Sequence, residues 1–286
     1  MTTDEELRLA VDALGESILV VGHGSIGQIA ATRIADSDWP AVDAAGTPDA
    51  AITAVDGSSL ATTEASAGRL DPADVPIRFA VVTVPNHPIA GERAALDALA
   101  ERVDAVIVAS GEGAEDLAAA VGTLVSTVRE PGVVNIDLAD AETVFRSVRM
   151  GALCAGEDRE GDPAMAVKNA FGTLATGIET DPVGGVLVDL VGPPGMSVTD
   201  VSEAVSTVRT HVGPNAHVIW GGSIDESMTD GIRARLVLAG VKNGRVAPDD
   251  RCPRCGASLS TYTFGDRTIP SCDSCGFAGV SVRLRD

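Results

Sequence analysis

The sequence predicts an α/β fold with a mostly parallel sheet, carrying a small metal-binding ribbon at its C-terminal end. Three observations carry that prediction. Apolar runs of strand length alternate with longer stretches of helical period, as in RFAVVTV (78–84), AGERAALDALAERV, DAVIVAS (104–110) and a helix over about 114–129. Near the start, the glycine turn GHGSIG lies between an apolar strand and a helix. Near the end, two Cys-x-x-Cys-Gly sequences lie close together.

The chain has 286 residues, enough for two ordinary domains or one large domain and a small module. It is 45% hydrophobic and carries a net charge of −20, with 41 acidic against 21 basic residues. Lys168 and Lys242 are its only lysines. Scattered acidity with almost no lysine suits a protein hydrated in concentrated salt, where screening removes the self-repulsion, so a halophilic cytoplasm is expected. No basic stripe exists to neutralise phosphates, which argues against nucleic acid as the main ligand of the body. No apolar run approaches the roughly eighteen residues of a membrane span. MTTDEELRLA has neither the basic flank nor the apolar core of a signal peptide, so a soluble cytoplasmic chain is expected. Four of the five cysteines form two pairs and Cys154 stands alone, a usage that fits a reducing compartment.

The ribbon reads CPRCGASLSTYTFGDRTIPSCDSCG. Each Cys-x-x-Cys-Gly turn aims two thiolates at one point, and the glycine permits the positive φ this needs. Sixteen residues separate Cys255 from Cys272, room for a hairpin (LSTYTF, then RTIPS) that brings the pairs together. Cys252, Cys255, Cys272 and Cys275 are thus expected to hold a structural Zn²⁺ in a closed four-sulfur site. A rubredoxin-like iron site competes; a redox dithiol does not, since neither pair opens a helix in a βαβ unit. Arg254, Arg267, Arg283 and Arg285 make the ribbon the one locally basic part, and an additional partner of the ribbon is expected.

In the main body, SILVVGHGSIGQIAATRIA (17–35) reads as a strand, a turn bearing Gly22, Gly24, Ser25 and Gly27, and a helix. Such a turn cradles phosphate with backbone N–H groups, or simply lets helix and strand pack closely; the spacing does not choose. Asp43, 21 residues after Gly22, suits a dinucleotide fingerprint. Residues 45–77 read as loops around short elements. PGVVNIDLADAETVFRSVRMG (131–151) reads as a strand, VVNID, running into a turn with Asn135, Asp137 and Asp140 and then a helix. Two carboxylates three apart can polarise a water, but the commoner fate of Asp at a helix start is an N-cap. GEDREGDPAMAVKNAF (156–171) reads as a turn and a helix. Residues 184–241 read as a β-α-β-β unit: strands GVLVDLV, AHVIWGGSI and RARLVLAGV, and a helix from Val198 to about His211 capped by Ser197 or Thr199. His211 and His217 read as a helix end and a strand start, not as ligands.

These motifs, taken in order, resemble the FtsZ/tubulin-like cytoskeletal GTPase family. PGVVNIDLADAETVF is similar to its synergy loop (PGLINxDFADVxTVM), GEDR (156–159) to the SGEDRA turn that follows, and residues 185–241 to its C-terminal domain segment by segment. VVGHGSIGQIAATRIA resembles its first glycine loop, and RFAVVTVPNHPIAGERAALDAL its VAVVTKPFxFEGxxRxxxAL strand and loop. The resemblance covers about 17–35 and 78–241. It implies a truncated Rossmann-type N-terminal domain with its core helix (1–130), a synergy loop and following helix (131–149), an α+β C-terminal domain (150–241), a linker (242–251) and the zinc ribbon (252–286).

The departures from the family pattern are as informative. The GGGTGTG phosphate loop is absent, and the stretch up to Arg78 reads as too short to hold it with its flanking strand and helix. The expected loop Glu falls on Ala90, the Arg three places after Gly91 on Ala94 (with Arg93 beside it), and the base-contacting Asp on Ala114, beside Glu115 and Asp116. In the family, one subunit's pocket is completed by the next subunit's synergy loop, so catalysis arises at a head-to-tail contact. The resemblance therefore implies a GTP/GDP site weakened at Gly22, Gly24, Ser25 and Gly27. It also implies that Asn135, Asp137 and Asp140 act in trans, on FtsZ-like paralogues or a second copy, at the division site. Two other classes compete: an NAD-dependent oxidoreductase using Gly22, Gly24, Gly27 and Asp43, and a module whose ribbon binds nucleic acid or protein.

Overall fold

The computed structural model describes residues 17–36, 48–60, 75–89, 91–129, 132–180, 183–247, 250–252, 254–264 and 267–278. Asp43, Ala90, Arg283 and Arg285 lie outside them.

An eight-stranded sheet runs through the whole body. Its strands are β1 (Ile18–His23), β2 (Ala50–Asp56), β3 (Ile77–Val84), β4 (Ala105–Ser110), β5 (Met150–Asp158), β7 (Gly185–Gly192), β8 (His217–Ile224) and β9 (Ile232–Ala239), in the order β1-β2-β3-β4-β5-β9-β7-β8. The first five are parallel neighbours; β9 is antiparallel to both β5 and β7, and β7–β8 is parallel. Short β6 (Ile178–Glu179) pairs with β10 (Lys242–Asn243), and β11 (Ser260–Phe264) with β12 (Arg267–Ser271). The α/β class with a parallel-dominated sheet is thus as the alternation requires.

Helices cover both faces. On one lie α1 (Gly24–Ala35), α4 (Gly113–Arg129) and α5 (Leu138–Phe145), whose Ile34, Leu117, Leu124 and Phe145 pack against Phe79, Ile107 and Leu187. On the other lie α3 (Glu92–Ala100), α6 (Pro163–Gly172) and α7 (Val198–Val212), with Leu96, Val167 and Val208 against Val82, Val188 and Leu236. A short turn, α2 (Gly57–Leu60), follows β2. Local chemistry sets several helix starts. Asp162 caps α6 with Pro163 in its first turn, and Ser197, rather than Thr199, caps α7 in a reciprocal box with Asp200. Among the described residues, no helix is long and apolar enough to cross a membrane.

Three expectations need correction. VVNID is not a strand: residues 132–137 bend at Val133 and make a single bridge, Val134 to Gly222 on the edge strand β8. Residues 45–77 contain a fully buried strand, β2, so a strand does stand where a phosphate loop would follow one. The pattern AAITAVD hides it because a parallel strand covered on both faces loses the period-two alternation. MGALCAGED is β5, the strand that joins the parallel and antiparallel halves, so Gly156–Asp158, read as part of a turn, end a strand instead. Its small residues read as weak strand formers, but closeness demands them. A Cβ at Gly156 would lie 2.1 Å from the Ala170 nitrogen of α6, and one at Gly151 2.6 Å from the Phe145 ring.

Candidate functional site

β1 runs straight into α1, and the glycines between them are packed against backbone. A Cβ on Gly22 would lie 2.2 Å from the Gly27 carbonyl oxygen, and one on Gly27 2.4 Å from that of Ala54 in β2. Gly24 has φ +68°, which favours glycine. Close helix–strand packing therefore accounts for Gly22 and Gly27, and the positive φ for Gly24. At the same point α1 begins without a side-chain cap from His23, and Ser25 is exposed, so the first-turn N–H groups stay available to an anion. Burial lowers the His23 pKa, leaving an imidazole without charge at neutral pH. Gly22→Ala is expected to displace α1 and to cost about 1–3 kcal/mol in urea unfolding.

Beside this turn, the C-terminal ends of β2, β3 and β4 frame a cleft of about 630 Å³ lined by Ser58, Asn86, His87, Ser110, Glu112 and Asp116 among others. Its backbone donors are engaged by the chain's own carboxylates. Asp56, 2% exposed, accepts from the Ser58 amide (3.1 Å) and hydroxyl through one oxygen, and from the Gly113 amide (3.0 Å) through the other. Asp116 accepts from the Glu112 amide at 2.8 Å. These amides open α2 and α4, where a helix offers its partial positive charge. A phosphate entering here would meet fixed anions, and no Lys or Arg is among the described lining residues.

Asn135, Asp137 and Asp140 sit elsewhere. The 17-residue helix α4 starts at the cleft and carries the chain roughly 25 Å away before they appear. Asp137 is the N-cap of α5 and accepts from the Asp140 amide (2.9 Å), while Asp140 accepts from the Asp137 amide (3.2 Å). Both carboxylates thus form a capping box, the commoner alternative at the sequence level. Asn135 accepts from the Gly132 amide at 2.7 Å and holds the preceding turn. Asn135 and Asp137 are exposed and Asp140 half-buried, so the group faces solvent rather than its own cleft.

Two residues with large structural roles escaped the sequence reading. Arg245, in the segment expected to be a linker, and Glu92 are each 1% exposed. Arg245 Nε lies 2.6 Å from Glu92 Oε1, and its other nitrogens donate to the carbonyls of Thr176 (2.7 Å) and Pro85 (2.6 Å). Arg93 also turns to this segment, donating to the Asn243 carbonyl. Glu92 and Arg93, which lie one or two places from the nucleotide-contacting positions of the family pattern, are thus both spent on the strap. A lone Arg in KNGRVAP carries no signal that could have revealed this.

The four ribbon cysteines do converge. Cys252–Cys275 and Cys255–Cys272 are each 3.5 Å apart at sulfur, and all four sulfurs lie within 4.8 Å of one another. A tetrahedral ion with sulfur at about 2.3 Å needs sulfur spacings of about 3.8 Å, so the donor set fits a bound metal. The two knuckles are alike. Gly256 and Gly276 have φ +73° and +71°, and the Cys252 and Cys272 amides donate to the Ala257 and Phe277 carbonyls. Burial opposes ionisation of Cys252, but the Arg254 and Cys255 amides donate to it and bring its pKa down to about 6. At Cys275 the Phe277 amide pulls downward, yet burial and hydrogen bonds with the other cysteines raise it to about 12. Burial likewise raises Cys154 to about 12, which makes it an inert core thiol. His211 stacks on Phe171, with centroids 4.4 Å apart, and His217 is exposed at the start of β8.

A sheet with helices on both faces, a glycine turn at its strand ends and a central helix leading to an acidic capping box define an open α/β architecture with a cleft at its strand ends. Over part of its length the chain is similar to FtsZ proteins. Residues 146–242 match the model of the FtsZ family C-terminal domain. Over 130 residues the chain is 32% identical to cell division protein FtsZ 1 of Methanocaldococcus jannaschii, covering 45% of this chain and 36% of the relative. Over 133 residues it is 29% identical to FtsZ 1 of Halobacterium salinarum, covering 46% and 34%. The chain thus spans about a third of the length of the curated relatives it matches. The fold is similar to the empty FtsZ dimer of M. jannaschii, with TM-score 0.61, 20% identity, and 86% of this chain and 98% of that one covered. It is also similar to CetZ2 of Haloferax volcanii in a GTPγS-bound protofilament, with TM-score 0.50, 20% identity and coverages of 74% and 70%.

Proposed function

We propose that this chain is a cell-division or cytoskeletal FtsZ-like protein with weakened GTP binding, which caps or regulates filaments of active paralogues through its synergy-loop face. One observation carries the reading: the donors at the strand ends are engaged by Asp56 and Asp116, while Asn135, Asp137 and Asp140 face outward at the far end of α4. A subunit so built offers an FtsZ filament one half of a head-to-tail contact without the other half. Its acids complete a neighbour's site, and its own cleft does not accept the next subunit's nucleotide productively. The glycine turn with the open start of α1 supports residual GTP or GDP binding at Gly22, Gly24, Ser25 and Gly27, with any hydrolysis depending on a partner. The ribbon cysteines hold structural Zn²⁺, and the ribbon recruits a further partner. The acidic composition supports a cytoplasm at high salt, with recruitment to the division site through the paralogue.

The experiment is GTP binding and turnover by the purified chain in high salt, alone and with an FtsZ paralogue, followed by sedimentation of the filaments. The expected result is slow turnover alone and an altered mass or turnover of paralogue filaments. Robust self-activated hydrolysis sinks the weakened-cleft reading, and unchanged filaments sink capping.

A further inference from the structure

Among the attachments of the segment between β9 and the ribbon to the body, two differ in character. At one, Arg245 is wholly buried and bound to Glu92, Thr176 and Pro85. At the other, Asp250 bridges two backbones: one oxygen accepts from the Gly91 amide (3.2 Å) and the other from the Ala247 amide (2.9 Å). Gly91 precedes α3 with φ +78°, at the end of the loop whose Pro85, Asn86, His87 and Ile89 wall the cleft. Asp250 stands two residues before Cys252. The intervening Arg251 already bridges to Ser258, and the Cys252 amide donates to Ala257, so the chain here is part of the ribbon's own ladder. The Asp250 carboxylate is therefore held from two sides, by a turn in which its amide donates to the carbonyl of buried Ala247 (3.1 Å) and by the ribbon ladder that begins at Arg251, whereas Arg245 is held by the core alone.

We infer that the strap is a metal-dependent latch on the cleft loop. With the four cysteines loaded, Asp250 pins Gly91 and the loop before α3. Without metal, the knuckle loses its cross-link, residues 251–252 fray and Asp250 releases Gly91, while the Arg245 end holds. Metal state thereby sets how freely the cleft wall moves, and it does so whether or not a nucleotide binds. The inference rests on metal loading of the ribbon and is independent of filament capping.

Hydrogen–deuterium exchange on the full chain tests it, comparing zinc-loaded protein, protein stripped by a chelator, and zinc-loaded Asp250→Ala, with metal content measured in each. Stripping is expected to speed exchange in peptides over 86–92 by about tenfold, the scale of one lost charge-assisted hydrogen bond. Asp250→Ala is expected to reproduce that gain with its zinc retained, while peptides around Thr176 and within α3 stay protected in all three. A chain that loads zinc yet shows stripping effects confined to 251–278, or an Asp250→Ala variant with unaltered exchange at 86–92, overturns the latch alone. A chain that takes up no metal overturns the latch together with the ribbon reading.

Discussion

Replacing Arg245 by methionine is expected to lower the unfolding free energy by about 3–5 kcal/mol, a large share of the stability of a typical protein. The reason is what it leaves behind. Glu92 is 1% exposed, and its carboxylate faces the Arg245 guanidinium at 2.6 Å, so removing the cation strands a buried anion. The carbonyls of Thr176 and Pro85 lose their donors in the same step. Glu92→Gln should cost less, because the amide stays polar without charge and can still accept one bond. The double variant Arg245→Met with Glu92→Met should recover much of the loss, since apolar replacement of both partners removes the stranded charge. Urea unfolding of the four proteins, followed by circular dichroism, checks the order. A single variant as stable as the parent would contradict the geometry.

Removing the metal is the second large effect. Chelation at neutral pH should unfold residues 251–278 and leave the body's eight-stranded sheet intact, because the sheet is built entirely from residues 18–239 and the ribbon hairpin pairs only with itself. Limited proteolysis and metal analysis read both halves of that statement, with one zinc per chain expected and none in Cys272→Ser. The pH dependence has a definite sign. Cys252 has a folded pKa of about 6 against an ordinary 9.0. The folded ribbon geometry therefore favours its thiolate, a contribution fully present above about pH 9 and lost as the pH falls through 6. Protons compete with metal for the same sulfurs, so zinc retention should also fail on the acid side, near and below pH 6.

What could be read from the residues, and what could not, follows the range of the interactions involved. RFAVVTV, DAVIVAS and GVLVDLV announce themselves as strands because local apolar content is enough to mark them. β2 and β5 do not, since alanine, glycine and cysteine are chosen there for what presses on them from both sides, and that is invisible in one dimension. The convergence of the four ribbon cysteines was legible, because four thiols at two fixed spacings can converge in essentially one way. The glycine turn was legible as a motif but not as a function. The same three glycines serve close packing and anion approach, and only the neighbouring Ala54 carbonyl shows how tightly the first is enforced.

By itself, then, the sequence determined the α/β class, the FtsZ-like order of motifs and the four-cysteine site, all of which rest on contacts near in the chain or on exact spacing. Tertiary structure alone decided the remainder. It closed the cleft's donors with Asp56 and Asp116, turned Glu92 and Arg93 away to a strap 150 residues later, and separated Asp137 and Asp140 from the cleft by the length of α4. Those outcomes depend on which amide a carboxylate meets across the fold. A carboxylate's chemistry is the same at every position until burial and a partner choose its role.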